Sequence, residues 1–253
     1  MPVEAANRRS APGRVGGACG SARLAQDEEM TETPQDEGQL LESVYALISH
    51  AVRDPENGKL DQGTRTSAWT VRELLFHLLL DAQRALVAFA TPASGPADVD
   101  NVTYWRPFRP ANGDGGRAHA EYVTRAAAAY SSSEVLVDHW TETSTAAAWA
   151  GRMGRVAIVS TQGHRLRSAD FIDTLIVEAT IHYLDLTLNL QAPSAPAEAL
   201  ARVRNVLDGL LGTLLPLDWD DIEYVLKGTG RVVLTPEDRD GLADLAVRFP
   251  LLG

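Results

Sequence analysis

Long segments with apolar residues at helical spacing are the feature that most constrains how this chain can fold. The clearest one follows Thr70-Val71-Arg72-Glu73, which fits a capping box, with Trp69 and Leu74 placed as a hydrophobic staple. The helix that begins there extends to about residue 90 and is apolar around most of its circumference. Such a helix has neighbours on several sides, so the sequence predicts a helix in the interior of a bundle.

The same periodicity predicts three further long helices. The first begins near residue 39 and has about 14 residues, and the fourth covers about residues 170–189. Between them lies an alanine-rich third helix over about residues 117–130, with a continuation over about residues 134–140. The β-branched run from Val156 to Val159, followed by Gln162-Gly163, predicts a small hairpin or strand.

The remaining segments are organised around the predicted bundle. Residues 91–117 are rich in Pro, Gly, Asp and Asn and form a long loop that carries Tyr104, Trp105 and Phe108, a candidate lid or pocket wall. Residues 1–37 contain almost no large apolar side chains, so we expect a disordered tail. We therefore predict an all-α fold, with a four-helix bundle over residues 38–192 and a helical subdomain over residues 193–253.

Composition excludes several functions. The 253 residues include 23 Lys and Arg against 34 Asp and Glu, a net charge of −11 that argues against a nucleic-acid binder. No run approaches the ~18 apolar residues of a membrane span, and no secretory signal is recognisable, so we expect a soluble, cytoplasmic protein. Cys19 is the only cysteine, so any metal must be bound by histidine and carboxylate side chains.

Glu178 and His182 are the first candidate site residues. Four residues apart on a helix, they stack on one face and can converge on one ion. The same face carries Phe171, Leu175 and Leu186, which places the pair toward the bundle interior. With so many acidic residues the spacing arises easily by chance, so the spacing alone favours an ordinary hydrogen bond within the helix or a solvated pair over a metal site.

His77 lies in the middle of the second helix among large apolar residues. It is either a core histidine that binds a backbone carbonyl, or part of a polar stripe with Glu73, Asp81 and Arg84. Combined with Glu178 and His182 from a facing helix, it completes a set of two histidines and one glutamate. That set, with one open position, is common in catalytic zinc sites.

Several motifs together resemble the maleylpyruvate isomerase family of mycothiol-dependent enzymes, within the wider group of DinB-like helical bundles. They are the Trp69–Leu74 entry to His77, Thr161-Gln162-Gly163, Asp170-Phe171 and the stretch from Glu178 to Leu186. The resemblance covers about residues 38–192, and Gly228-Thr229-Gly230-Arg231 is similar to the closing segments of many members. It implies a DinB-like bundle in which His77, Glu178 and His182 bind the metal.

The resemblance also implies a reaction. Zn2+, or another divalent metal, would bind and activate mycothiol, and the thiolate would attack an electrophilic carbon of a small substrate. The product is a thiol conjugate or, after bond rotation and thiol release, a cis–trans isomer. Asp185, one turn beyond His182, is a candidate for interacting with His182 without itself binding the metal, or else it is a solvated helix carboxylate. Arg84 and Arg231 are candidates for binding a substrate carboxylate or the thiol, or else surface arginines.

Two other functions remain open at this point. One is a non-enzymatic metal-binding or structural bundle, and the other is a zinc hydrolase that activates water. Isomerases of the family carry a distinct C-terminal domain, and the segment after Pro193 is short for one, so the substrate stays undetermined. The expected partners are a small electrophile and a low-molecular-weight thiol, without nucleic acid or membrane. The sequence does not indicate an oligomeric state.

Overall fold

The computed structural model describes residues 34–53, 60–66, 68–108, 114–154 and 156–253, and all of them belong to one compact unit. The described chain is mostly helical. Its α-helices are α1 (Pro34–Arg53), α2 (Val71–Phe89), α3 (Asp114–Ala127), α4 (Ser133–Met153), α5 (Ser168–Leu186), α6 (Ala197–Leu211), α7 (Asp221–Gly228) and α8 (Pro236–Leu242). Two short strands, β1 (Ile158–Thr161) and β2 (His164–Arg167), precede α5. The predicted all-α fold with a small β insertion is confirmed.

Four of these helices form the bundle. Helix α1 packs against α4 and α5, and α2 packs against the same two helices. Their apolar faces meet in one continuous core, in which Leu41, Leu75, Trp140 and Phe171 are fully buried. Because α5 is buried over nearly its whole length, the polar residues it carries must find partners inside the protein.

The third predicted helix is wrong in its extent. The chain forms two helices there, α3 and α4, separated by residues 128–132. The break follows from Ser132, whose hydroxyl accepts a hydrogen bond from the Val135 backbone N–H and so starts a new helix. Helix α4 then continues to Met153, well past the predicted end, and it is α4 that joins the bundle.

The first helix also differs from the prediction, because it begins at Pro34 instead of near residue 39. Residues 34–37 of the expected tail are therefore helical. The rest of that tail, including Cys19, lies outside the described residues. Among the described residues, no helix is long and apolar enough to cross a membrane.

The two strands form an antiparallel hairpin that pairs Ile158 with Arg167 and Thr161 with His164. Gln162 and Gly163 connect them with φ angles of 48° and 82°. Two consecutive positive φ angles are typical of a type I′ turn, whose twist matches that of the flanking strands. The hairpin is held against the end of α2, where the Ser160 N–H donates to the Thr91 carbonyl at 3.2 Å. This contact fixes the position of the turn.

The C-terminal helices bring the chain back to the bundle. Helix α6 packs on α5, and α7 packs on α6. The Gly228 carbonyl at the end of α7 accepts the Leu251 N–H at 2.8 Å, and the Phe108 carbonyl accepts the Gly253 N–H at 3.2 Å. Residues on both sides of α8 are thereby placed next to the loop between α2 and α3.

Candidate metal centre and its cavity

The structure brings His77, Glu178 and His182 together. His77 projects from the middle of α2, and Glu178 and His182 lie one turn apart on α5. Glu178 Oε1 is 3.0 Å from His77 Nε2 and 3.2 Å from His182 Nε2. One ligand atom from each residue lies within 4.8 Å of the other two. Neither alternative for His77, a backbone-bonded core residue or a member of a solvent-facing stripe, describes this placement.

The donor set fits a small divalent cation. Ligand atoms bound tetrahedrally to zinc at 2.0–2.1 Å are about 3.3 Å apart, close to the two distances from Glu178 Oε1. His182 Nδ1 lies 3.0 Å from Asp185 Oδ2, so this nitrogen carries a hydrogen and Nε2 of a neutral ring directs a lone pair at the carboxylate. Two groups of lone pairs facing each other need a cation or a proton between them.

The pKa values of His182 and Glu178 in the metal-free protein also indicate that the site favours a positive charge. Burial lowers the pKa of His182, but Glu178 and Asp185 outweigh it and raise that pKa to about 9. Burial raises the pKa of Glu178, but His182 and His77 hold it well below its ordinary value. The site therefore stabilises an ionised carboxylate beside an imidazole that holds a positive charge.

The Nδ1 atoms of His182 and His77, which face away from Glu178, each have a hydrogen-bond partner of their own. Asp185, whose side chain is fully buried, holds His182 and also accepts a hydrogen bond from Arg231 Nη2 at 3.1 Å. Burial raises the pKa of Asp185, but His182 and Arg231 lower it below its ordinary value. On the other side, His77 Nδ1 is 3.3 Å from Nε2 of His119, an exposed residue of α3. The alternative that Asp185 is a solvated carboxylate is wrong because the side chain has no solvent contact.

The three residues open onto a cavity of about 520 Å3. Most of its wall is aromatic or aliphatic, and its polar part is contributed by Thr66 and by residues from α2, α3, α5, the hairpin turn and the C-terminal segment. The apolar lining residues are Trp69, Leu80, Tyr104, Trp105, Phe108, Ile181 and Leu252. The aromatic residues of the long loop thus form part of the cavity wall, with Tyr104 and Trp105 buried and Phe108 40% exposed.

Arg84 and Arg231 both line this cavity, and neither is a surface arginine. Arg84 donates from Nε and Nη2 to Asp81 Oδ1 at 3.2 and 3.1 Å, and from Nη1 to the Tyr104 hydroxyl at 3.3 Å. Tyr104 in turn donates to Gln162 in the hairpin turn. Burial lowers the pKa of Arg84, but Asp81 outweighs it, so that the pKa is raised.

The sequence did not single out His119, Asp81 or Gln162 as site residues. His119 comes from a helix whose packing no local pattern indicates, whereas Gln162 belongs to the Thr161-Gln162-Gly163 motif, which gave it no role in the site. Asp81 had a signal, because it follows His77 by four residues on a buried helix, as Glu178 precedes His182 by four. That spacing predicted a shared face, and the structure places Asp81 on the cavity wall with Arg84.

Fold and site together define a class of protein, namely a helical bundle in which two histidines and a glutamate from two helices meet at the wall of a cavity. A family model described as the mycothiol maleylpyruvate isomerase N-terminal domain matches residues 41–187. Since the match covers more than half of the chain, the protein belongs to that family, as the sequence motifs predicted. Neither curated proteins nor solved structures gave a significant match. His77, Glu178 and His182 all lie within the matched segment.

Proposed function

We propose that this protein is a metal-dependent enzyme that adds mycothiol, or a similar low-molecular-weight thiol, to a small electrophile in the cytoplasm. The observation that carries the proposal is the convergence of two imidazoles and one carboxylate on the wall of a cavity lined mostly by apolar side chains. Family membership supports mycothiol as the thiol. None of the described residues that line the cavity is a cysteine, and the proposal takes the sulfur nucleophile from a ligand.

His77, Glu178 and His182 would hold the metal, which is Zn2+ or another divalent ion. When bound, such an ion supplies Lewis acidity that lowers the pKa of a thiol and keeps it as thiolate near neutral pH. Asp185 keeps the Nδ1 hydrogen of His182 in place and so directs Nε2 at the metal position. His119 has the same relation to His77, with its Nε2 at the Nδ1 atom.

The cavity walls orient the electrophile. Trp69, Trp105 and Leu80 exclude water from the reacting carbon, and N–H groups of Arg84 and Arg231 bind oxygen atoms of the substrate or of the thiol. As the C–S bond forms, the electron pair of a substrate C=C bond moves to the neighbouring carbon. Protonation there gives a conjugate, whereas rotation and departure of the thiolate give the trans isomer.

Dimethyl maleate tests the proposal because the two outcomes differ in product. The zinc-loaded protein is incubated with mycothiol and dimethyl maleate, and NMR follows the thioether adduct and dimethyl fumarate. We expect one of the two to form faster than without protein, and a chelator or His182→Ala to abolish the difference. His50→Ala, which removes an exposed imidazole of α1, is the control. No acceleration would favour a non-enzymatic bundle, and thiol-independent ester cleavage would favour a hydrolase.

A further inference from the structure

Gln162 occupies an unusual place in the hairpin turn. Its φ angle of 48° lies in the left-handed region, and the first central position of a type I′ turn favours Asn, Asp or Gly over a longer side chain. The side chain of Gln162 is exposed, so core packing does not offset the conformational cost of this backbone. What the side chain provides at this position is an amide group at the wall of the cavity.

Hydrogen bonds from α2 and the long loop determine which way this amide faces. Arg84 Nη1 donates to the Tyr104 hydroxyl at 3.3 Å, so the hydroxyl oxygen is the acceptor and its own hydrogen is donated elsewhere. That hydrogen goes to Gln162 Oε1. Asp81 accepts from both Nε and Nη2 of Arg84, which holds the guanidinium in place. With Oε1 engaged, Nε2 of Gln162 is left as the free donor, since no described residue accepts from it.

The cavity has room for a larger ligand along one part of its wall. Thr66, Trp69 and Arg231 line the cavity and also a second cleft of about 570 Å3. Tyr104 and Gln162 line the cavity and do not contribute to that cleft. Mycothiol carries sugar-like rings besides its thiol arm, so the larger of the two ligands has space toward the second cleft. The smaller electrophile is left with the part of the wall that includes Gln162.

We propose that the Nε2–H group of Gln162 donates a hydrogen bond to an oxygen atom of the electrophile and so determines how the electrophile faces the thiolate. The inference rests on the proposed function and deepens it, because it assigns a specificity-determining residue to that reaction. Tyr104 is a positioning residue, since it holds the amide in the donating orientation. An ester carbonyl and a carboxylate both fit, because the oxygen atoms of both accept hydrogen bonds.

The same hydrogen bond should strengthen as the thiolate adds to the electrophile. The C–S bond forms, and the electron pair of the C=C bond moves to the neighbouring carbon and is shared with the attached carbonyl group. Negative charge therefore develops on the oxygen atom that Gln162 binds. A donor that the protein already holds in place stabilises such a charge without having to reorient.

Nuclear magnetic resonance can observe this hydrogen bond directly. Dimethyl succinate and succinate have the oxygen atoms of an ester and of a dicarboxylate but no C=C bond, so a thiol cannot add to them. Each probe is titrated into the isotope-labelled full chain, and the side-chain NH2 signals of Gln162 are assigned by their loss in Gln162→Glu. We expect at least one probe to shift these proton signals downfield in a saturable manner. The NH2 signals of Gln39, an exposed residue of α1, should not shift.

Two variants distinguish recognition of the electrophile from a purely structural role. Gln162→Glu keeps an oxygen that accepts from Tyr104 but has no N–H group, and Gln162→Met removes donor and acceptor without adding charge. We expect both to weaken binding of the probe about fivefold and to lower kcat/KM for dimethyl maleate about tenfold, with KM for mycothiol unchanged. Gln39→Glu, the same chemical change on α1, is the matched control and should alter none of these values. Circular dichroism confirms that the variants are folded.

Tyr104→Phe tests the positioning role. Without the hydroxyl the amide of Gln162 is free to rotate, so binding of the probe should weaken about threefold. Combining Tyr104→Phe with Gln162→Met should cause no further loss than Gln162→Met alone, because both residues act through one hydrogen bond to the ligand. Additive losses would overturn the positioning role of Tyr104.

The outcomes separate this inference from the proposed function. Unshifted Gln162 signals with both probes would overturn the inference, whether or not the probes bind elsewhere in the cavity. Normal binding and activity of Gln162→Glu beside losses in Gln162→Met would overturn it too, since Gln162 would then serve only to anchor Tyr104. A protein that holds no zinc and accelerates no thiol addition would refute the proposed function, whereas the titration requires neither zinc nor thiol and would still test the hydrogen bond.

Discussion

Asp185 has no solvent exposure, yet it holds a negative charge between His182 and Arg231. Its place in the sequence, three residues after His182, predicted only that the two share a helix face. The structure adds the guanidinium of Arg231 from beyond α7, which makes the buried charge tolerable. No local pattern could have indicated that partner, because 46 residues separate the pair.

Asp185→Asn should lower the affinity of the protein for zinc. The amide cannot replace the charge that orients His182 and strengthens its Nε2 as a ligand, and it leaves Arg231 without a counter-ion. We expect about a 10- to 100-fold loss of zinc affinity, measured by competition with a chromophoric chelator. Asp138→Asn is the control because it breaks an exposed pair with Arg53 at 2.7 Å and should leave zinc affinity unchanged. Unchanged affinity in Asp185→Asn would show that this carboxylate does not support the metal site.

His119 permits a test in which a conservative variant should rescue function. With a metal at Nε2 of His77, its Nδ1–H donates to His119 Nε2, and a glutamine side chain carries an acceptor oxygen at a similar distance from the backbone. His119→Leu should therefore lower zinc affinity about tenfold, whereas His119→Gln should recover most of it. Equal losses in both variants would mean that His119 acts by its bulk and not as an acceptor.

At the scale of elements, α2 shows what local sequence can predict. The Glu73 carboxylate accepts hydrogen bonds from the backbone N–H and the hydroxyl of Thr70, at 2.7 and 2.9 Å. The helix begins where the capping box predicted and ends at Phe89, close to the predicted end. This start sets the phase of α2 and so aims His77 into the cavity.

Glu73→Ala should cost about 1 kcal/mol of the free energy of unfolding, because the first turn of α2 loses its cap. Urea denaturation followed by circular dichroism measures the change. Glu142→Ala, an exposed position on α4, is the control for helix propensity and should change stability by less than about 0.5 kcal/mol. A stability loss of the same size in both variants would contradict a specific role of the cap.

Helices α3 and α4 show where local reasoning fails. The alanine run ends at Ala129 and is followed by Tyr130 and three serines, so the break coincides with a change in composition as well as with the Ser132 cap. The periodicity around Glu134 could be recognised, but the extension through Ala147 and Ala148 depends on burial against neighbouring helices. Small residues carry little apolar signal until their packing partners are known.

At the scale of the whole molecule, the cavity is assembled from distant parts of the chain. The metal-site candidates come from α2 and α5, the turn residue Gln162 from the hairpin, and Arg231 and Leu252 from the C-terminal segment. The sequence predicted the fold class and the three converging side chains, the latter through the family resemblance. The rest of the wall results from loop and tail packing over long sequence separations, which periodicity does not encode.

The metal content of the purified protein tests the central claim most directly. Elemental analysis of the wild type, His182→Ala and His50→Ala, each dialysed in parallel after zinc loading, gives the number of zinc ions per chain. The account predicts about one ion in the wild type and in His50→Ala and close to none in His182→Ala, because two ligands rarely retain zinc against dialysis. Full retention of zinc by His182→Ala, or its absence from the wild type, would contradict the account.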